Sequence, residues 1–188
     1  DTLDLEVDLE SVTDSDVAYS GRVLVGGEIA LVLEHALGPM LPASEFDDPG
    51  ALRADFATLT TTGAPPDRYA GVPLPDLAID ELEPGRRAKG TLSIPAEAPY
   101  FADHFPRKPV YPATLLMDAL GTLATTASGE RVRVTGMRYV KVLVFMPPGE
   151  TLAVTVDLAD DDGVLTGRIV AKMQGKPAAT ARVLLERT

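Results

Sequence analysis

Apolar and acidic side chains alternate along Leu3-Asp4-Leu5-Glu6-Val7-Asp8-Leu9, the period-two pattern of a half-buried strand. The turn formers Thr13-Asp14-Ser15-Asp16 separate it from an apolar run at 17–25, and Gly26-Gly27 reverses the chain into residues 29–37, so three strands are predicted here. The end of the chain repeats the pattern. Thr151-Leu152-Ala153-Val154-Thr155-Val156-Asp157-Leu158 matches Thr2 through Leu9, Gly167-Arg168-Ile169-Val170 matches Gly21-Arg22-Val23-Leu24, and Gly175-Lys176-Pro177-Ala178 matches Gly27-Glu28-Ile29-Ala30. Three blocks in one order, at separations of about 146 to 149 residues, predict an internal duplication, with generic hairpin similarity as the alternative.

Between the copies, residues 38–75 are rich in turn formers: Gly38-Pro39, Asp48-Pro49-Gly50, Gly63-Ala64-Pro65-Pro66 and Gly71-Val72-Pro73. Their composition predicts an inter-domain linker, with at most a short helix near 51–56. Residues 76–82 are expected as a short helix or turn ended by Pro84-Gly85, and 87–94 as a strand. Pro112 suits the first turn of a helix carrying Leu115, Leu116, Ala119, Leu120 and Leu123, which reaches about Thr125 and ends near Ser128-Gly129. Residues 131–145 read as one long or broken strand, Pro147-Pro148-Gly149 as a turn, and 151–158, 164–173 and 178–186 as three further strands. The fold class is therefore α+β, an antiparallel sheet wrapped around one long central helix. Residues 1–37 form a partial first unit, 38–75 a linker and 76–188 a complete domain.

Charge changes this picture in one respect. The 188 residues carry a formal charge of −11, and in residues 1–56 thirteen acids face only Arg22 and Arg53, so that stretch holds the whole excess. An acidic chain argues against general nucleic-acid binding. Basic residues group locally at Arg86, Arg87, Lys89, Arg107, Lys108, Arg138 and Lys141, either as a solvated surface or as a landing place for an anionic partner. The chain has no cysteine, no apolar run of membrane-spanning length and no basic-then-apolar start, which excludes disulfides and thiolate sites, predicts no membrane span and no signal peptide, and fits a cytoplasmic setting.

The candidate chemistry lies in Tyr100-Phe101-Ala102-Asp103-His104-Phe105-Pro106-Arg107-Lys108-Pro109-Val110-Tyr111-Pro112, which runs into Ala113-Thr114-Leu115-Leu116-Met117-Asp118. One of only two histidines sits in a proline-stiffened, aromatic-flanked loop, just before an apolar helix bearing a single carboxylate. A base and an acid held this way suit proton transfer. The competing reading makes His104 a core histidine bonded to backbone and Asp118 a helix acid at a polar patch. His35, at a strand end, reads as an ordinary surface residue, and two distant histidines without a ligand-spaced acid cluster give no metal site.

From about Leu77 to Arg187 the chain resembles the hot-dog-fold 3-hydroxyacyl-acyl carrier protein dehydratases. The residues that carry the resemblance are Leu82-Glu83-Pro84-Gly85-Arg86-Arg87, the Tyr100-to-Pro112 loop, the helix after it, and residues 140–149. It implies His104 as catalytic base and Asp118, fourteen positions on, as catalytic acid. Aspartate at that place leans weakly toward the branch that also isomerises its product. Three positions depart from the pattern: Ala113 and Asp103 stand in place of glycines, and Thr122 in place of a supporting glutamine.

The implied activity is dehydration of a 3-hydroxyacyl thioester, carried on the phosphopantetheine of an acyl carrier protein, to the trans-2-enoyl thioester in fatty acid or polyketide-type synthesis. No cofactor is implied. The acyl chain is expected between two hot-dog units packed helix to helix, in a homodimer or pseudo-dimer whose histidine and acid come from opposite units. Within that frame, N–H groups near Ala113 and Thr114 would meet the thioester oxygen. Apolar surroundings would keep Asp118 protonated. Tyr100, Phe101, Phe105, Tyr111, Leu115 and Leu116 would line an acyl tunnel. Arg86, Arg87, Arg107 and Lys108 are candidates for carrier-protein docking. Residues 2–37 resemble the last three strands of a preceding hot-dog unit, which would make the chain a piece of a tandem double hot-dog; an N-terminal extension is the rival reading. The fold also hosts thioesterases and enoyl-CoA hydratases, and a non-catalytic module pairing with a catalytic partner is a further alternative.

Overall fold

The computed structural model describes residues 2–63, 72, 75–161 and 163–188. The chain divides into two compact units, Asp1–Pro49 and Gly50–Thr188. In the first, β1 (Leu3–Val12), β2 (Asp16–Val25) and β3 (Glu28–Pro39) form an antiparallel meander in that order. The Thr13 hydroxyl closes the β1–β2 turn by accepting the N–H groups of Ser15 and Asp16 at 3.2 and 3.0 Å. The alternation along β1 gives the strand two chemically different faces. Glu6 on the acidic side pairs with Arg22 directly across on β2, while Leu3, Leu5, Val7 and Leu9 are all exposed.

The second unit begins with α1 (Pro49–Thr61) and continues as a sheet around a helix. Strands β4 (Asp76–Glu83) and β5 (Arg87–Ser93) precede α2 (Ala113–Ser128), and β6 (Val132–Val142), β7 (Thr151–Asp161), β8 (Val164–Met173) and β9 (Lys176–Arg187) follow it. The sheet order is β4-β5-β7-β8-β9-β6, antiparallel throughout. Alternate residues of the central strands point inward: Leu152, Val154 and Val156 on β7, Ile169 and Ala171 on β8, Val183 on β9. They share one core with Leu116, Leu120, Leu123, Ala124 and Ala127 of α2. Each large aliphatic side chain taken from water there contributes about 1.5–3 kcal/mol.

Two close approaches shape the start of this unit. A Cβ on Gly90 would lie 2.5 Å from the Ala78 carbonyl oxygen, so the bare glycine lets β4 come in over β5. At the far end of α2, Gly129 takes a left-handed φ of 68° as the cap, and Gly85 donates to the Ala127 carbonyl at 2.8 Å. The β4–β5 turn is thereby closed against the end of the helix.

The structure corrects the sequence reading in three places. Residues 76–82, expected as a short helix or turn, form the edge strand β4, so two strands and not one precede α2. The short helix expected near 51–56 extends to Thr61, where Thr58, Thr60 and Thr61 return their hydroxyls to carbonyls of the preceding turn. Strand β3 runs on through Gly38-Pro39. The expected turns at 64–66 and 71–73 fall, except for Val72, outside the described residues. Among the described residues no helix is long and apolar enough to cross a membrane.

The sequence matches between the meanders β1-β2-β3 and β7-β8-β9 do not keep register: Leu5 pairs with Val23, whereas Val154, the match of Leu5, pairs with Ala171, two residues beyond Ile169, the match of Val23. The rows Val7–Gly21–Leu33 and Leu158–Gly167–Val183 both place a glycine on the middle strand.

Candidate active site

The loop between β5 and α2 is fixed by backbone bonds at each step. A 3-10 turn at Pro99–Ala102 places the Tyr100 carbonyl where it accepts the His104 N–H at 2.8 Å. Val110 N–H donates back to the His104 carbonyl at 3.1 Å, and Tyr111 N–H is tied to the Met146 carbonyl at 2.7 Å. The His104–Phe105 peptide is cis, and the two rings stack with centroids 4.5 Å apart. His104 is half-buried, and its Nδ1 lies 3.1 Å from the Val110 carbonyl oxygen. A carbonyl only accepts, so Nδ1 carries a proton, and the neutral form of the ring selected by this bond is the one with Nε2 unprotonated. That is the tautomer of a general base.

His104 borders a mostly apolar cleft of about 150 Å³, together with Tyr111 and Ala113 from the loop and helix start, Val142 at the end of β6, and Val144 and Phe145 from the segment after it. The last three were missed as site residues in the sequence. Their signal was the apolar run ahead of Pro147-Pro148-Gly149, which reads equally well as plain strand. Helix α2 opens at Pro112, whose carbonyl takes the N–H groups of Leu115 and Leu116. Ala113 and Thr114 thus occupy the first turn, where a helix's N–H groups have no carbonyl of the same helix to bond and can meet a developing negative charge.

Asp118 is not buried as expected. Thr114, Asp118 and Thr122, each four residues apart, form an exposed stripe on α2, while Leu116, Ala119, Leu120 and Leu123 face the core. Residues four apart share a helix face, and in this helix that face is the one the sheet leaves uncovered. Asp118 is not among the residues bordering the His104 cleft. Its carboxyl makes no hydrogen bond or ion pair among the described residues.

The other expected residues divide by environment. Phe101 is buried in the core, Tyr100 and Leu115 pack against it half-buried, and Thr114 is exposed. Tyr100 meets Phe101 edge-on at 4.7 Å and Tyr111 at 6.4 Å. Tyr111 is only 3% exposed, and its hydroxyl is the one buried side-chain polar atom without a hydrogen-bond partner among the described residues. Burial, with smaller contributions from the Tyr100 and Asp118 charges, pushes this phenol up to about 12; burial alone raises Tyr100.

Of the basic candidates, Arg86 pairs with Glu83 at 2.7 Å and Arg87 with Asp157 at 2.5 Å. The Lys108 ammonium sits 5.0 Å over the Phe145 ring, and Arg107 is exposed. Among the described residues no group of three or more His, Cys, Asp or Glu side chains is placed to hold a metal ion.

A six-stranded antiparallel sheet around one helix, with a tautomer-fixed histidine in a proline-rich loop at the helix start, defines a hot-dog-fold domain of the dehydratase type. Comparison with known proteins agrees. The profile of the ApeI-like family, described as ApeI dehydratase, matches residues 80–181. The 3-hydroxyacyl-[acyl-carrier-protein] dehydratase FabZ of Clostridium botulinum is 33% identical over 130 residues, 63% of this chain and 87% of that protein. FabZ of Acetivibrio thermocellus is 32% identical over 120 residues, 58% of this chain and 82% of that one. Among solved structures, the dehydratase heterocomplex ApeI:P from Xenorhabdus doucetiae superposes with a TM-score of 0.50 at 21% identity, covering 60% of this chain and 98% of its own. An uncharacterized protein from Pyrococcus horikoshii gives 0.52 at 11% identity, covering 60% and 82%. The chain belongs to the ApeI-like dehydratase family.

Proposed function

We propose that this protein dehydrates a 3-hydroxyacyl thioester, presented on the phosphopantetheine arm of an acyl carrier protein, to the trans-2-enoyl thioester. His104 Nε2 takes a proton from C2, whose C–H electrons become the C2–C3 double bond as the C3–O bond breaks. Asp118, protonated, donates to the departing hydroxyl, which leaves as water. Negative charge passing through the thioester oxygen meets the N–H groups of the first turn of α2, near Ala113 and Thr114, and one such donor is worth about 3 kcal/mol. Phe105, Tyr111 and the segment at Val142, Val144 and Phe145 supply the apolar wall for the acyl chain. The observation that carries this reading is the Nδ1–Val110 bond, which leaves Nε2 as a free base at an apolar cleft.

Two uncovered surfaces support pairing between hot-dog units as part of the same proposal. The Thr114–Asp118–Thr122 stripe is exposed, and β6, an edge of the sheet, carries exposed Tyr139, Val140 and Val142 and leads into exposed Leu143. A second copy joined there would cover both and bring its own Asp118 to His104. The glycine common to the two middle strands, Gly21 on β2 and Gly167 on β8, favours reading the first unit as the last three strands of another hot-dog unit.

The test is turnover of 3-hydroxyacyl thioesters on carrier protein, followed by absorbance of the enoyl product, for wild type, His104→Ala and Asp118→Asn. Loss of turnover in both variants is expected. Full turnover by either variant removes its residue from the mechanism. Thiol release from a saturated acyl thioester without dehydration would replace the proposal with a thioesterase.

A further inference from the structure

Strand β1 carries the same alternation that builds the core of the second unit, with the opposite outcome. On β7 the alternate residues Leu152, Val154 and Val156 are buried in one core with α2. On β1 the alternate residues Leu3, Leu5, Val7 and Leu9 stand 59% to 70% exposed, and Leu31 and Leu33 of β3 stand 55% and 42% exposed. These six side chains share one face of the meander, because Leu5 and Leu31 flank Val23 of β2 and Val7 and Leu33 flank Gly21. A sheet with one apolar face needs a second layer against it. Among the described residues nothing supplies that layer.

We propose that this face is closed by the same face of a second copy, the two three-stranded sheets packing about 10 Å apart across a two-fold axis. Size, shape and charge favour this occupant. The six side chains leave roughly 600–700 Å² in water on each copy, so pairing them buries about 1,300 Å², the size of a specific protein–protein interface. A patch that large seldom stays uncovered on a soluble protein. The middle strand presents no side chain at Gly21, between Val7 and Leu33, which leaves a hollow where a large side chain of the facing copy seats. The chain's charge of −11 sets copies against one another. Yet Asp4, Glu6 and Asp8 alternate onto the opposite face of β1, where Arg22 pairs with Glu6. The acids of β1 are thus kept off the contact, and a charged partner would find no complementary group among the six side chains. The pairing requires nothing of the dehydratase site.

The chain has no cysteine, so Leu5→Cys in the full chain introduces a single thiol on this face, and Asp8→Cys places one on the opposite face as a control. The readout is the rate of labelling by a bulky maleimide, followed on dilution until light scattering gives the mass of a single copy. At high protein concentration the Leu5→Cys thiol should react roughly tenfold more slowly than the Asp8→Cys thiol, and the two rates should converge once single copies remain. Adding Leu31→Glu should remove the protection at every concentration, because it sets a carboxylate without a partner into the contact. A Leu5→Cys thiol that reacts as fast as the control at high concentration overturns the proposal, since the face is then open. Protection that persists in single copies, or in the Leu31→Glu background, also overturns it, because the cover then comes from something other than the facing copy.

Discussion

The Nδ1 of His104 donates to the carbonyl oxygen of Val110 across 3.1 Å, within a loop whose chain also closes by the reverse bond from Val110 N–H to the His104 carbonyl. The histidine is thus both a tether and, through Nε2, the proposed base. The two roles separate by substitution. An asparagine side chain places an N–H near the Nδ1 position and nothing at Nε2. His104→Asn should therefore keep Tm close to wild type while dehydration falls by about 10²- to 10⁴-fold, the usual contribution of a general base. His104→Ala should lose the same activity and also lower Tm. Paired thermal melts and rate assays check this, and an active His104→Asn enzyme would exclude Nε2 as the base.

Because Asp118 faces outward from its own chain, the proposed site needs the carboxyl of a second copy. Mixing two inactive variants tests that directly. If His104→Ala and Asp118→Asn chains are co-expressed, half of the dimers are mixed, and each mixed dimer has one site with both groups intact. Dehydration should recover to about a quarter of wild type. No recovery, with mixed dimers demonstrated by mass spectrometry, would mean that both groups act within one chain.

Much of the fold was legible because its strands alternate cleanly. Leu152, Val154 and Val156 are buried in the core just as their spacing requires, and the apolar positions of α2 face that core. The reading failed where local chemistry gave the wrong cue. Residues 76–83 carry Asp76, Asp80, Glu81 and Glu83, too acidic to read as a strand, and the sheet tolerates them because β4 is an edge strand bonded only to β5. The Gly and Pro residues flanking α1 read as a linker, yet the helix continues to Thr61, and the hydroxyls of Thr58, Thr60 and Thr61 bond back to it. At the site, motif and spacing marked His104, but the exposure of Asp118 depends on which helix face the sheet leaves bare. The unpaired Tyr111 hydroxyl depends on packing in three dimensions, and no sequence pattern records it.

Gly129 ends α2 at φ 68°, and a Cβ there would lie 2.8 Å from Cβ of Pro84. Gly129→Ala therefore suffers twice, from a left-handed backbone that L-residues disfavour and from a collision with the β4–β5 turn. A loss of about 1–3 kcal/mol in unfolding free energy is expected, measurable by denaturant titration. Dehydration per folded molecule should be little affected, because the helix start at Ala113 and the His104 loop lie at the other end. A variant as stable as wild type would show that the turn moves away without cost.

Tyr111 also predicts an alkaline weakness of the fold. Its phenol titrates near the ordinary value of 10.0 in the unfolded chain and at about 12 in the folded one, so the folded state holds the proton more tightly. Stability from this group is fully present below pH 10 and declines as pH rises from there through about 12, because ionisation in the buried site is disfavoured. Two pH units correspond to about 1–3 kcal/mol. Tyr111→Phe removes the titrating group but leaves Tyr100, so the difference between the two proteins isolates Tyr111 from every other alkaline titration. Their unfolding free energies should run parallel up to pH 10 and diverge above it, wild type falling faster. Parallel curves through pH 12 would place the phenol in water and not in the core.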